Sequence, residues 1–111
     1  MSEETADYLR HALSAIEGID QHLHGRRNFH DFTQNVTVRG AVERELEIIG
    51  EAINRVLKIE PGIAIMNARY IVYTRNRIIH GYDTVDENII WKIIIVDLPL
   101  LRTELETLLT A

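Results

Sequence analysis

Cysteine is absent from this chain of 111 residues, which removes disulfides, thiolate metal sites and thiol nucleophiles together. A bilayer span is missing as well: the longest apolar run, Ile89 to Leu101, is broken by Lys92, Asp97 and Pro99 and falls short of the roughly 20 residues required. The opening Met-Ser-Glu-Glu-Thr is acidic and carries neither the basic nor the apolar region of a signal peptide. The chain is therefore expected to act where it is made, in the cytoplasm and away from membranes. There is no excess of basic charge, since the balance is −5, the wrong sign for a protein that coats nucleic acid. No Gly-rich phosphate loop, no serine-centred nucleophile elbow and no paired aspartates of a nucleotidyltransferase occur, which disfavours a mononucleotide enzyme.

What remains is the composition of a folded domain, with 46% hydrophobic and 26% charged residues. No internal repeat, linker or low-complexity tract divides the chain, so one domain over 1–111 is expected. Ser2 can cap a first helix that opens with Glu3 and Glu4 and carries Leu9, Leu13, Ile16 and Ile19 before Gly25. The polar stretch from Gly25 to Asn35, with Phe29 and Phe32, predicts a loop or a single helical turn packed by its own phenylalanines.

Val38, Val42, Leu46, Ile49, Ile53 and Val56 recur at helical spacing and mark the buried stripe of a long amphipathic helix. Glu43, Glu47 and Glu51 read as its solvated face, offset by Arg39 and Arg55. Pro61-Gly62 is expected to end this helix and begin the next, which runs through Ala64, Ala68, Ile71 and Val72 to Gly81.

The last segment, Asn88 to Leu109, opens with the β-formers Ile89 to Val96. The spacing of Leu98, Leu101, Leu105 and Leu108 and the want of a second strand favour a helix. Pro99 should kink or divide it by freeing the carbonyl of Ile95. Its apolar start calls for burial on more than one side, for which a homodimer interface is the natural partner.

The chemistry concentrates in Arg75-Asn76-Arg77-Ile78-Ile79-His80-Gly81-Tyr82. A guanidinium can hold phosphate oxygens and an imidazole can exchange a proton near neutral pH. From Asn54 to Tyr82, Arg55, Lys58, Arg69, Arg75 and Arg77 face Glu60 alone, a local charge of +4 in an acidic chain. Arg75 and His80 lie about 140° apart around one helix. Either the helix unwinds near Gly81, or a two-fold dimer brings the pair together from two subunits.

Such a cleft suits RNA cleavage without metal, with one imidazole taking the ribose 2′-hydroxyl proton and another protonating the departing 5′-oxygen. This chemistry predicts a 2′,3′-cyclic phosphate and no attack on DNA. The competing reading makes Arg75 and Arg77 surface charges, His80 a helix-end cap and Tyr82 a packing residue. His22 and His24 diverge on their helix without a carboxylate at ligand spacing, so no metal site is expected, and His11 and His30 read as surface residues.

The arginine, four residues, histidine, one residue, tyrosine pattern of Arg75 to Tyr82 resembles the signature of HepT-like toxins in the HEPN ribonuclease superfamily. Ala41-Val42-Glu43-Arg44-Glu45-Leu46-Glu47-Ile48-Ile49-Gly50-Glu51-Ala52 resembles the family's central helix. Tyr82 to Asp86, Ile90-Trp91 and Asp97-Leu98-Pro99-Leu100-Leu101 resemble its C-terminal part. The resemblance covers nearly the whole chain in order. The chain departs from it at Pro61-Gly62-Ile63-Ala64-Ile65, where family members often carry a Pro-Trp pair, a local packing difference that bears on substrate preference.

The resemblance implies an all-α, antiparallel, HEPN-like bundle of four to five helices, homodimeric with the motif at its cleft. It implies a type VII toxin, an endoribonuclease that cuts tRNA or mRNA without cofactor or metal. It also implies a partner, an MntA-like nucleotidyltransferase that silences the toxin by AMPylation of the motif tyrosine. Carried over, Arg75 and His80 are catalytic, Asn76 and Arg77 supporting, and Tyr82 the modified residue, with Glu51 or another polar residue of the central helix a candidate to orient the motif. An adenylyl group would add bulk and negative charge to a phosphate-binding cleft. The alternative from another class is a non-catalytic subunit that holds substrate or nucleotide for a nucleotidyltransferase.

Overall fold

The computed structural model describes residues 1–80 and 86–111, except for the side chains of residues 78–80. Among the described residues all regular structure is helical, as expected: α1 (Glu3–His22), α2 (Phe29–Gln34), α3 (Val36–Ile59), α4 (Ala68–His80), α5 (Glu87–Lys92), a π-helical turn (Ile93–Asp97) and α6 (Leu98–Thr110). None of these helices is long and apolar enough to cross a membrane.

Ser2 caps α1 as its sequence position suggests, its Oγ accepting the Thr5 N–H at 3.1 Å, which satisfies one of the donors a helix start leaves open. The helix stops where His24 and Gly25 take φ of 53° and 70°, a left-handed turn that glycine adopts without steric cost. Asn28 and Asn35 cap α2 and α3 by accepting the N–H of Asp31 and Val38, each at 3.0 Å.

The stripe expected on α3 is buried at Val42, Leu46, Ile49, Ile53 and Val56 and packs against Leu9, Ile16 and Ile19 of α1. Tyr8 and His11 of α1 lie beside Glu51 and Arg55 and Gly18 faces Glu45, so the two helices run antiparallel. Burial of each large aliphatic side chain contributes about 1.5–3 kcal/mol, which makes this seam the main stabilising contact of the bundle.

One sequence expectation is refined and one corrected. The phenylalanines of the 25–35 excursion do pack it, but against a partner far along the chain: Phe32 is buried, and the rings of Phe29 and Phe32 lie 5.8 and 5.3 Å from Trp91. The excursion is thus pinned to α5. The helix expected from Pro61-Gly62 begins only at Ala68. Between them Ile63 N–H bonds Glu60 O at 3.1 Å, and Met66 N–H donates to a Glu104 carboxylate oxygen at 2.8 Å, so a charged acceptor from α6 competes with the helical ladder.

In the last segment, Pro99 divides the helix by way of the π turn. Leu98 N–H reaches back to Ile93 O, a five-residue bond that re-registers the ladder just before the residue that cannot donate. Ile90, Ile93 and Ile94 are buried, so the β-formers serve as core of a helix.

Candidate active site

Arg75 sits midway along α4, on the side that meets α3. Gly50 makes the approach possible: a Cβ there would overlap Arg75 Cβ, lie 2.6 Å from its Cγ and reach 3.4 Å from the Ile71 carbonyl. With only hydrogen at that position the arginine stem lies flat on α3 and its head reaches the next residue. Arg75 Nη2 stands 2.7 Å from Glu51 Oε2, and Nη1 donates to Asn76 Oδ1 at 2.9 Å. Arg75 Nε is buried and makes no hydrogen bond among the described residues.

Glu51 serves two cations, because Arg55 Nε also donates to its Oε1 at 2.8 Å. The Arg55 hydrogen bond holds the Glu51 carboxyl below its ordinary range, and the Arg75 charge adds to this while burial opposes it. The local +4 of the sequence is therefore tempered by a carboxylate from outside that window. Glu51 orients Arg75, and beyond the bonds to Glu51 and Asn76 one N–H on each Nη remains, a pair that can serve an oxyanion.

A cleft of about 510 Å³ opens beside this pair, lined by Tyr8, His11, Glu47, Glu51, Arg55 and Arg75. His11, read from sequence as a surface residue, is exposed and lines the cleft, its ring 6.3 Å from that of Tyr8 in a T-shaped contact. No local sequence signal places it there, since α1 and α4 lie far apart in the chain.

Arg77 does not join this cleft. Its Nη1 donates to Tyr73 OH at 3.2 Å and its guanidinium lies 5.9 Å above the Tyr73 ring, in a separate groove with Tyr70, Asp86 and Ile89. The motif thus presents cations on two sides of α4. The helix stays α-helical through His80, so the backbone does not unwind ahead of the histidine. The His80 side chain and Tyr82 lie outside the described residues. Among the described residues no group of three or more His, Cys, Asp or Glu side chains could hold a metal ion.

The family described as Ribonuclease HepT-like matches residues 12–108. The chain is 33% identical to the protein named "Probable ribonuclease HepT" of Thermococcus cleftensis, over 97% of this chain and 98% of that one. It is 31% identical to "Putative RNase TTE0752" of Caldanaerobacter subterraneus subsp. tengcongensis, over 92% of this chain and 91% of that one. It is 36% identical to "Putative RNase MJ1380" of Methanocaldococcus jannaschii, over 71% of this chain and 73% of that one. No solved structure gives a significant match.

Proposed function

The chain belongs to the HepT-like ribonuclease family, and from that premise we propose that it is a toxin endoribonuclease that cleaves tRNA or mRNA without metal and is silenced by AMPylation of Tyr82. The observation that carries this reading is Arg75, seated on Gly50 and oriented by Glu51 and Asn76 with its remaining donors beside an open cleft. A planar fork fixed in this way is suited to the oxygens of a phosphodiester.

In the reaction an imidazole removes the proton of the ribose 2′-hydroxyl, the freed oxygen attacks phosphorus, and the P–O5′ bond breaks. A second imidazole returns a proton to the 5′-oxygen, which leaves a 2′,3′-cyclic phosphate and a 5′-hydroxyl. Arg75 stabilises the charge that gathers on the phosphorane oxygens. His80 supplies the imidazoles, one from each protomer of a two-fold dimer.

The dimer reading is supported by exposed apolar side chains on α4, α5, the π turn and α6. Tyr73, Ile89, Val96 and Leu100 are 55%, 42%, 47% and 55% exposed, more than isolated surface residues need. Arg77 shares a groove with Tyr73 and Ile89, where it would support the site from across the two-fold axis.

The regulatory half requires an MntA-like nucleotidyltransferase. The hydroxyl oxygen of Tyr82 attacks the α-phosphorus of ATP, pyrophosphate leaves, and the added phosphodiester occupies and repels at the cleft. The test is expression in a bacterial host. The chain should arrest growth, His80→Ala should abolish the arrest, and co-expression of the cognate nucleotidyltransferase should relieve it while the Tyr82 peptide gains the mass of AMP. Growth unaffected by the unmodified protein would remove the toxin reading.

A further inference from the structure

A second cleft of about 510 Å³ lies where α1 ends and α3 begins, with His22, His24, Arg26, Asn28, Gln34 and Asn35 among its lining residues. The left-handed turn at His24 and Gly25 turns this segment outward, and His22, His24 and Arg26 are all exposed. The neighbouring Arg27 is paired with Asp20, whereas no ion pair engages Arg26 among the described residues. Asp31 is the one carboxylate in the lining. Arg26 and Asp31 balance in formal charge, so in a chain of net charge −5 this cleft is free of the acidic excess and gathers imidazole, guanidinium and amide donors, the groups that hydrogen-bond phosphate oxygens.

Its position relative to the motif gives the cleft a role. α4 descends along α3 from Gly50, where Arg75 rests, and α5 opens with Glu87, which pairs with Arg39 near the start of α3. Phe29 and Phe32 pack the α2 excursion on Trp91 of α5. The C-terminal end of α4 and this cleft therefore share one end of the bundle. From Val38, which lines the cleft, to Gly50, α3 spans about 18 Å at its 1.5 Å rise per residue. That is about five nucleotides at the 3.4 Å stacking of a single strand.

We propose that this cleft is a second RNA-binding site, which holds the phosphate backbone of the substrate strand about five nucleotides from the scissile bond. The inference rests on the ribonuclease reading above. Histidine and arginine donors take the phosphate oxygens, and the amides of Asn28, Gln34 and Asn35 take phosphate or 2′-hydroxyl oxygens, a recognition blind to base identity. The site makes the enzyme prefer RNA long enough to bridge both clefts.

The test compares the full-length protein with a triple variant, His22→Gln, His24→Asn and Arg26→Gln, in which asparagine keeps the left-handed backbone at His24 accessible. Circular dichroism and thermal melting establish that the variant folds. Cleavage is measured on a 20-nucleotide RNA and on a dinucleotide too short to reach the second cleft. Fluorescence anisotropy of the labelled 20-mer is followed as salt rises. The expected result is a KM at least tenfold higher on the 20-mer with kcat within threefold, a deficit within twofold on the dinucleotide, and a flatter salt dependence of binding. An unchanged KM on the 20-mer overturns the inference and leaves the ribonuclease reading standing. An equal loss on both substrates overturns it as well, since the residues then support the fold. Failure of the unsubstituted protein to cleave either RNA removes both readings.

Discussion

Gly50 of α3 and Arg75 of α4 are in such close contact that no side chain fits between them, a Cβ at Gly50 falling 2.6 Å from Arg75 Cγ. The arginine is placed by the absence of a methyl group. Gly50→Ala should therefore lower stability by about 1–3 kcal/mol through overpacking, despite the roughly 1 kcal/mol that alanine gains over glycine inside a helix. Gly40, also within α3, meets nothing within 4 Å, so Gly40→Ala should stabilise by about 0.5–1 kcal/mol. Urea denaturation of the two variants should give midpoints that move in opposite directions.

The Glu51 carboxyl is held below its ordinary value of 4.5, chiefly by the Arg55 hydrogen bond and then by Arg75, with burial opposing them. A lowered folded pKa means that the unfolded chain binds the proton more readily. The contribution is thus complete above the unfolded value and is lost as pH falls through the folded one. Because the side chain is 38% exposed, solvent screening limits it to under about 1 kcal/mol. Glu51→Gln should lower the urea midpoint at pH 7 and lose that deficit progressively as pH falls below the ordinary carboxylate value of 4.5. It should also slow RNA cleavage about tenfold, as Arg75 loses its orientation.

Asp97 is 5% exposed in the π turn, and Lys92 Nζ donates to its two carboxylate oxygens at 3.0 and 3.2 Å. The lysine is half exposed and lies 5.2 Å above the Tyr70 ring. The pair is therefore asymmetric: loss of the lysine strands a buried carboxylate, whereas loss of the aspartate charge releases an ammonium to water. Lys92→Met should lower the melting temperature, and Asp97→Asn distinctly less. Thermal melts of the two variants at pH 7 measure the difference, and equal losses would count against the asymmetry.

Much of the bundle is legible in the sequence because its signals are local. The Ser2 cap, the α3 stripe from Val42 to Val56 and the interruption at Pro99 depend on neighbours within a turn or two. Contacts from far along the chain are not legible. The start of α4 at Ala68 reflects Glu104 capturing the Met66 N–H, and the attachment of Phe29 and Phe32 to Trp91 joins residues about 60 positions apart. At the candidate site, spacing singles out Arg75 and resemblance suggests Glu51, yet the seat at Gly50 and the presence of His11 in the cleft follow from helix packing alone. A glycine inside a buried stripe signals a close approach without saying what approaches.

The exposed apolar side chains carry their own prediction. Glutamate at both Val96 and Leu100, which are 47% and 55% exposed, should leave the monomer folded, since neither side chain belongs to its core. Sedimentation should then report a monomer for the variant and a dimer for the unsubstituted chain. Cleavage should fall by about 10²-fold or more if each site needs an imidazole from both protomers. A variant that is monomeric and fully active would show that one protomer suffices.

The most direct test of the account is cleavage of total tRNA and mRNA by the purified, unmodified protein in EDTA, beside Arg75→Ala and His80→Ala, with end-group analysis of the products. The account predicts fragments that end in a 2′,3′-cyclic phosphate and begin with a 5′-hydroxyl, formed without metal and absent with either variant. No cleavage by the confirmed unmodified protein, or cleavage that survives His80→Ala, would contradict it.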